Sequence, residues 1–445
     1  MNLDQTLRQM ALSPAVLALA KAKAEAAGEA DLTRASHHFL DWLGCAIGGN
    51  NTLIGRNFLD LQGHDLLAGS PTERAQRLGG LGSLLEMDDV DRLGLLHPGP
   101  VVCAAALALA TPETSGQLFL RALIAGYEAM IRLGRALGPE HYAFFHNSST
   151  TGAFGAALCA SMILELSEVE TIWAAGHAMS MAGGLWECRN SPTVTKHLHV
   201  SEACRRGVQA ALWAKAGLAG PATVLDGPQG FFAALAPQGR PESMLAAHPR
   251  ALLHEVSFKL WPACRHAHAA IDATLLAAAG VEAQDVERVE AEVFADAVTF
   301  CDRPAPQTSG EAKFSLQHSI AIALRFGPPE MAHFEGAALS DRETAALRQK
   351  VHIRASAALS AAYPRHFGAK VTLYLKDGSR CQAQVEDAWG DSENPATPED
   401  IAKKFDALCL YAGKGAQKTK GLRQAALALP SSDCGALLAA IATPE

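Results

Sequence analysis

No CxxC pair occurs among the ten cysteines, Cys45, Cys103, Cys159, Cys188, Cys204, Cys264, Cys301, Cys381, Cys409 and Cys434. That argues against a zinc ribbon and leaves no local ligand pattern for an iron–sulfur cluster, so buried thiols in a reducing compartment are expected. No GxGxxG follows a strand pattern and no GxxxxGK[ST] loop occurs, so a nucleotide cofactor is not signalled. The GxSxG elbow of serine hydrolases and the HExxH helix of zinc proteases are absent too. Aromatics are only 6% of the chain, and Lys+Arg 38 against Asp+Glu 46 leaves a net charge of −8. With no long basic tract, nucleic acid is not an expected partner. The longest apolar run, "VVCAAALALA" from Val101 to Ala110, is too short to cross a bilayer. The N-terminal stretch carries early acids and no basic region ahead of a sustained apolar core, so it does not read as a signal peptide. A cytoplasmic protein without a membrane partner is expected.

Alanine and leucine dominate what remains, and they favour packed helices over sheets. "DLTRASHHFLDWLGCAIGG" reads as a helix with Asp31 or Thr33 as N-cap and Gly48-Gly49 as its stop. "PVVCAAALALA", "GQLFLRALIAGYEAMIRLGRAL", "TGAFGAALCASMILEL", "EVETIWAAGHAMSMAGGL" and "SEACRRGVQAALWAKAGL" follow the same style. Apolar nearly all round, they must be buried on several sides, with Gly126, Gly155, Gly183 and Gly184 allowing close helix approach. The pattern changes after about Ala278. "VERVEAEVFADAV" alternates like a strand from Val286 to Val298, "KVHIRAS" adds another, and "KVTLYLKDGSRCQAQVEDA" reads as a hairpin turning at Asp377-Gly378. "KFSLQHSIAIALRFG" between them reads as one helix, and a last helix starts with Thr397 as N-cap, Pro398 at N1 and Asp400 near N3. The fold class expected is mainly α: a large all-helical domain over 1–268, an inserted smaller α+β lid domain over 269–395, and a C-terminal return to the helical domain over 396–445. A crevice between two such domains is the usual place for a small-molecule site.

Five polar clusters interrupt the apolar helices. "LLEMDDVDRLGLLHPG" gathers Glu86, Asp88, Asp89 and Asp91 ahead of His97. "HYAFFHNSSTTGAFG" holds His141, His146 and a run of hydroxyls. "WECRNSPTVTKHLHVSEACRRG" holds Arg189, Lys196, His197, His199, Arg205 and Arg206. "KLWPACRHAHAAIDA" holds Lys259, Arg265, His266, His268 and Asp272, and "EAKFSLQHS" holds Lys313, Ser315 and His318. Histidine is suited to acid/base work near neutral pH, and neighbouring Lys and Arg can hold carboxylates. The bland reading of each cluster is a capped helix, a solvated loop or a hydrogen-bonded structural histidine. The HxH pairs His197/His199 and His266/His268 could ligate a metal from a strand, but on a helix the two members point to different faces. No metal site is expected.

In this order the clusters resemble the MmgE/PrpD family, which includes 2-methylcitrate dehydratases, cis-aconitate decarboxylases and iminodisuccinate epimerase. The resemblance rests on "DWLGCAIGG", "HPGPVVCAAALALA", "LIAGYEAMIRLGRAL", "TGAFGAALCA", "TKHLHVSEACRRGVQAALWAKAGLAGP", "WPACRHAHAAIDA" and "EAKFSLQHSIAIAL". It implies a homodimer whose subunits pair a helical domain with an α+β lid, and catalysis with neither metal nor organic cofactor. His97 matches the histidine of the family's acidic HP segment, His146 the one before the TG[TA]FG helix, Lys196 the lysine of TKxLHxG, and His268 the histidine after the KxxPxC-type segment. Ser83 to Asp91, "SLLEMDDVD", stands where the family has HAxDFDDTH. Asp88 and Asp89 match its paired acids and Glu86 its first aspartate. Val90 replaces the threonine, Ser83 and Asp91 replace both histidines, and Ser201 replaces the glycine of TKxLHxG.

The resemblance thus implies a cofactor-independent lyase or isomerase acting on a small di- or tricarboxylate by proton transfer next to a carboxylate. Dehydration leads; epimerisation or decarboxylation of a related dicarboxylate is the alternative, and a non-catalytic carboxylate-binding protein is the competing class. His97, His146, Lys196, His268 and Asp88 are the expected catalytic residues. Glu86, Asp89, Arg189, Arg205, Lys259 and Arg265 are the expected substrate contacts.

Overall fold

The computed structural model describes residues 11–62, 65–191 and 193–443. The first ten residues of the stretch read for a leader lie outside that range. The fold is mainly α, with one small sheet. The chain divides into two compact units. The first takes the chain up to Leu84, Asp88–Val256 and everything from Thr397; the second takes Leu85–Met87 and Ser257–Ala396.

In the first unit the long helices are Glu29–Asn50, Pro71–Ser83, Gly99–Leu109, Gly116–Ala136, Gly152–Ile163, Glu168–Ser180 and Thr195–Lys215. Every residue of Gly99–Leu109 is buried, as its all-round apolar sequence requires. Gly126 and Gly155 let two helices touch backbone to backbone: a Cβ at Gly126 would stand 2.5 Å from Val102 Cγ1, and one at Gly155 would stand 2.8 Å from Gly126 O. Gly183 and Gly184 lie beyond the end of Glu168–Ser180, so the helix-packing role expected for them does not apply. The helix carrying His38 starts earlier and ends later than its sequence signals. Gly28 is the N-cap and Asp31 sits at N3, where its carboxylate accepts from Gly28 N at 3.0 Å. Gly48 and Gly49 stay helical because Leu81 O packs where a side chain at Gly49 would be, 2.2 Å from an added Cβ. The C-terminal helix Pro398–Tyr411 begins with the expected capping box, Thr397 with Asp400. It packs on Glu29–Asn50, where Lys404 Nζ donates to Asp41 Oδ1 at 2.6 Å. Among the described residues no helix is long and apolar enough to cross a membrane.

In the second unit β1 (Val286–Val293), β2 (Val351–Ala355), β3 (Ala369–Leu375) and β4 (Arg380–Val385) form a sheet of order β2-β1-β3-β4. β1 runs parallel to β2 and antiparallel to β3; the β3–β4 hairpin turns at Asp377-Gly378, with Gly378 at φ 84°. β1 ends at Val293 rather than Val298, because Ala295–Cys301 turns into a helix. The segment read as one helix is two, Ser309–Lys313 and Leu316–Phe326. Ser315 interrupts them, its hydroxyl accepting from His318 N to cap the second. Helix Arg265–Ala277 covers the sheet at β3 and β4.

His318 belongs to this scaffold. Its Nδ1 accepts from Arg348 Nη1 at 3.1 Å and its Nε2 donates to His333 O at 2.9 Å, which fixes a neutral imidazole. Burial, with Arg348 adding to it, pushes its pKa down to about 4. In the unfolded chain the ring takes a proton near 6.5; in the fold it does not until about 4. The neutral ring's contribution is therefore intact above pH 6.5 and lost as pH falls toward 4, at most about 3 kcal/mol. Denaturant midpoints at pH 7 and pH 4.5 should show His318→Gln losing a large part of the wild type's acid sensitivity. Equal slopes in the two proteins would refute the assignment.

Candidate functional site

The expected acids split into three roles within a few residues. Asp89 is 2% exposed. Its Oδ2 accepts from His38 Nδ1 at 2.8 Å and from Tyr127 OH at 2.7 Å, and its Oδ1 accepts from Gly99 N at 2.7 Å. Burial, reinforced by Asp89, pushes the Tyr127 hydroxyl well above its ordinary range and keeps it a donor. Asp89 is one of the expected substrate contacts; here both its oxygens accept from donors within the protein. Asp88 turns to His97: His97 Nδ1 lies 3.0 Å from Asp88 Oδ2 and 2.8 Å from Asp89 O. Two acceptors at Nδ1 fix the ring's proton there and leave Nε2 for chemistry. Asp91, in place of a motif histidine, pairs with Arg135 and accepts from Gly94 N at 2.7 Å.

His146 caps the short helix Asn147–Thr150 and is 1% exposed. Its backbone N donates to Gly184 O at 2.9 Å, and its ring lies 4.4 Å from that of Trp186, centre to centre. Burial pushes its pKa well below the ordinary value, and the charges of Lys196, His199, His97 and His197 push the same way. Those influences put His97, His146 and Lys196 in one electrostatic neighbourhood of the first unit. Lys196 comes from the first turn of Thr195–Lys215, which packs on Pro71–Ser83 and Gly152–Ile163. The members of the pair His197/His199 part company on that helix: His197 Nδ1 hydrogen-bonds Ser83 Oγ at 3.1 Å, while His199 lines a cavity of about 570 Å³ with Ser149, Gly184, Cys188, Thr195, Glu202 and Arg206. Arg205 is held by Glu202, Nη2 to Oε2 at 2.8 Å. Arg189 is exposed, its guanidinium 5.9 Å from the centre of the Trp186 ring.

The remaining expected residues form a cluster of the second unit. Glu86 holds a left-handed backbone, φ 57°, which is strained for a residue with a side chain. Its Oε2 lies 3.6 Å from the Nζ of Lys259, itself 0% exposed. Arg265 is 3% exposed and paired with Asp391. His268 Nε2 donates to Ala263 O at 3.1 Å. His266, the other half of that HxH pair, goes to Cys264 instead, Nδ1 to Sγ at 3.3 Å, among the rings of Phe294, Phe300, Tyr363 and Phe367. Among the described residues no three His, Cys, Asp or Glu side chains are placed to hold a metal ion.

The model of the MmgE/PrpD N-terminal domain matches residues 17–244, and that of the C-terminal domain matches residues 261–428. The chain belongs to the MmgE/PrpD family. It is 29% identical over 342 residues to human cis-aconitate decarboxylase, covering 70% of this chain and 67% of the relative. Against the mouse cis-aconitate decarboxylase the figures are 28% over 336 residues, 70% and 66%. Against the 2-methylcitrate dehydratase of Escherichia coli K12 they are 26% over 233 residues, 49% and 47%. The chain thus spans about two thirds of the length of those decarboxylases and about half of that dehydratase.

Two features of this family member escaped the sequence. Cys264 accepts the S–H of Cys301, which with His266 pulls its thiol well below the ordinary range, while burial pushes Cys301 well above it. Scattered cysteines carry no sign of that pairing; only the C-x-H spacing of Cys264 and His266 was visible. The partners of Asp89, His38 and Tyr127, come from helices far off in sequence. Asp89→Asn, which turns an amide donor toward these donors, should cost about 3 kcal/mol by denaturant unfolding at pH 7, and Tyr127→Phe about 1 kcal/mol. Because both remove the same bond, the double variant should lose less than their sum. Strict additivity would show that Tyr127 is not a partner of Asp89.

Proposed function

We propose that the protein is a cofactor-independent lyase or isomerase that moves a proton at a carbon next to a carboxylate of a small di- or tricarboxylate, with dehydration as the leading reaction. The observation that carries the reading is the pairing in one neighbourhood of a neutral buried imidazole, His146, beside Lys196, with a carboxylate-oriented imidazole, His97 on Asp88. A base must be unprotonated at working pH, and burial among positive charges keeps His146 so. In this reading His146 takes the proton from carbon. The electron pair left behind spreads onto the substrate carboxylate, where the Lys196 ammonium stabilises it. His97, held through Nδ1, would deliver a proton from Nε2 to the departing hydroxyl, which leaves as water. If the substrate has no hydroxyl at that position, the same Nε2 proton delivered to the opposite face gives epimerisation. A cytoplasmic homodimer remains part of the proposal, as the resemblance implies.

Decarboxylation is the second reading, favoured by the similarity to human cis-aconitate decarboxylase. A panel of hydroxy-tricarboxylates, unsaturated tricarboxylates and amino-dicarboxylates, followed by NMR in deuterated water, separates the outcomes. Deuterium at one carbon marks proton transfer, water loss marks dehydration, and released carbon dioxide marks decarboxylation. A panel that binds without any exchange or turnover would leave a carboxylate-binding protein.

His146→Ala and Lys196→Ala should each cut turnover by roughly 10²-fold or more, with melting temperature little changed; the reverse pattern would make both residues structural. Because its pKa is lowered, His146 keeps its base form down to below pH 6.5, so the acid limb of kcat/KM should lie below that value. Replacing the positive neighbour, Lys196→Met, should move that limb upward. A limb unmoved by Lys196→Met would count against His146 as the base. EDTA should leave turnover intact; loss restored by one metal would point to the HxH histidines instead.

A further inference from the structure

His146 presents a difficulty if it is the base, because a ring 1% exposed has no route of its own for handing a proton to solvent. We infer that His199 is that route: it relays protons between His146 and the cavity of the first unit that His199 lines. The inference rests on the reading of His146 as the base, and it adds a residue to which no acid/base role has been given above.

Three observations carry it. The ring centres of His146 and His199 are 5.6 Å apart, a span that one water can bridge. The Nδ1 atoms of both rings are buried and have no hydrogen-bond partner among the described residues. One orphaned imidazole nitrogen in a core costs about 1–3 kcal/mol, and two on adjacent rings call for a use. Third, His199 reaches the cavity of about 570 Å³, whose wall carries Glu202 and Arg206.

Gly184 organises the arrangement. At φ 125° it offers its carbonyl to His146 N, and a Cβ there would lie 3.4 Å from His199 Cγ and 2.5 Å from Ser149 Oγ. The glycine therefore fixes the backbone of His146 while leaving space for the ring of His199. The charges around the pair set the direction of travel. His146 faces Lys196, His97 and His197, and His199 feels Arg206, so neither ring retains a proton easily. One acid on the wall, Glu202, is held by Arg205, Arg206 and Gln76. In the transfer an N–H bond of the His146 imidazolium breaks as one forms on His199. His199 then releases the proton from its other nitrogen to a water or buffer base in the cavity. No redox partner is needed.

The test uses the full chain with the substrate found in the panel above. His199→Gln should slow turnover about tenfold or more in dilute buffer, with an unchanged melting temperature. Added imidazole should restore the rate saturably, because a small base in the cavity replaces the missing ring. The wild-type rate should not depend on imidazole. A His199→Gln protein that keeps the wild-type rate, or loses it with no rescue at any imidazole concentration, overturns the relay. If that variant does not fold, His199→Asn carries the same test. Failure of the underlying reading looks different: the wild type itself would place no solvent deuterium on any carbon.

Discussion

The carboxylate of Asp89 is the fixed point of the first unit. A charge this deep is costly unless donors surround it, and its three come from separate helices: His38 from Glu29–Asn50, Tyr127 from Gly116–Ala136, and the backbone N of Gly99 at the head of Gly99–Leu109. The demand for donors therefore helps to fix how three helices are set around one chain segment. The same residue then uses its backbone carbonyl to hold His97 Nδ1. Orientation of the His97 ring and placement of the helices are thus tied together through the side chain and backbone of one amino acid.

Around that point the polar groups are sorted by what can reach them. Asp88 is left for His97 because Asp89 is already taken. Asp91 is absorbed by Arg135, and Arg205 by Glu202. Among the described residues the Nδ1 atoms of His146 and His199 are two of the buried polar atoms left without a hydrogen-bond partner.

Much of the fold was legible because its signals are local. The all-round apolar character of Gly99–Leu109, the Thr397–Asp400 capping box and the Asp377-Gly378 turn each depend on residues within a few positions. The misread boundaries depended on distant atoms. Gly49 stays in its helix because Leu81 fits against it, and β1 stops at Val293 although the alternation of the sequence runs on. The site was legible in its residue types and less so in their roles. Asp88 and Asp89 are adjacent and chemically alike, and only His38 and Tyr127, far off in the chain, tell them apart. Cys264 gave no sign of its partner because Cys301 comes from a helix at the end of a strand that the sequence reading ran straight through.

The salt bridge of Lys404 with Asp41 bears on how the chain reaches its folded form. Helix Glu29–Asn50 is synthesised early, yet the cation that answers its buried Asp41 arrives only after the whole second unit has been made. Until then the nascent first unit carries an unanswered carboxylate and an uncovered apolar helix face. The second unit, uninterrupted from Ser257 to Ala396 except for Leu85–Met87 made long before, can collapse as it leaves the ribosome, whereas the larger unit must wait for the segment that begins at Thr397. A truncation just short of Pro398 would hold the first unit in that waiting state, where chaperones and proteases act.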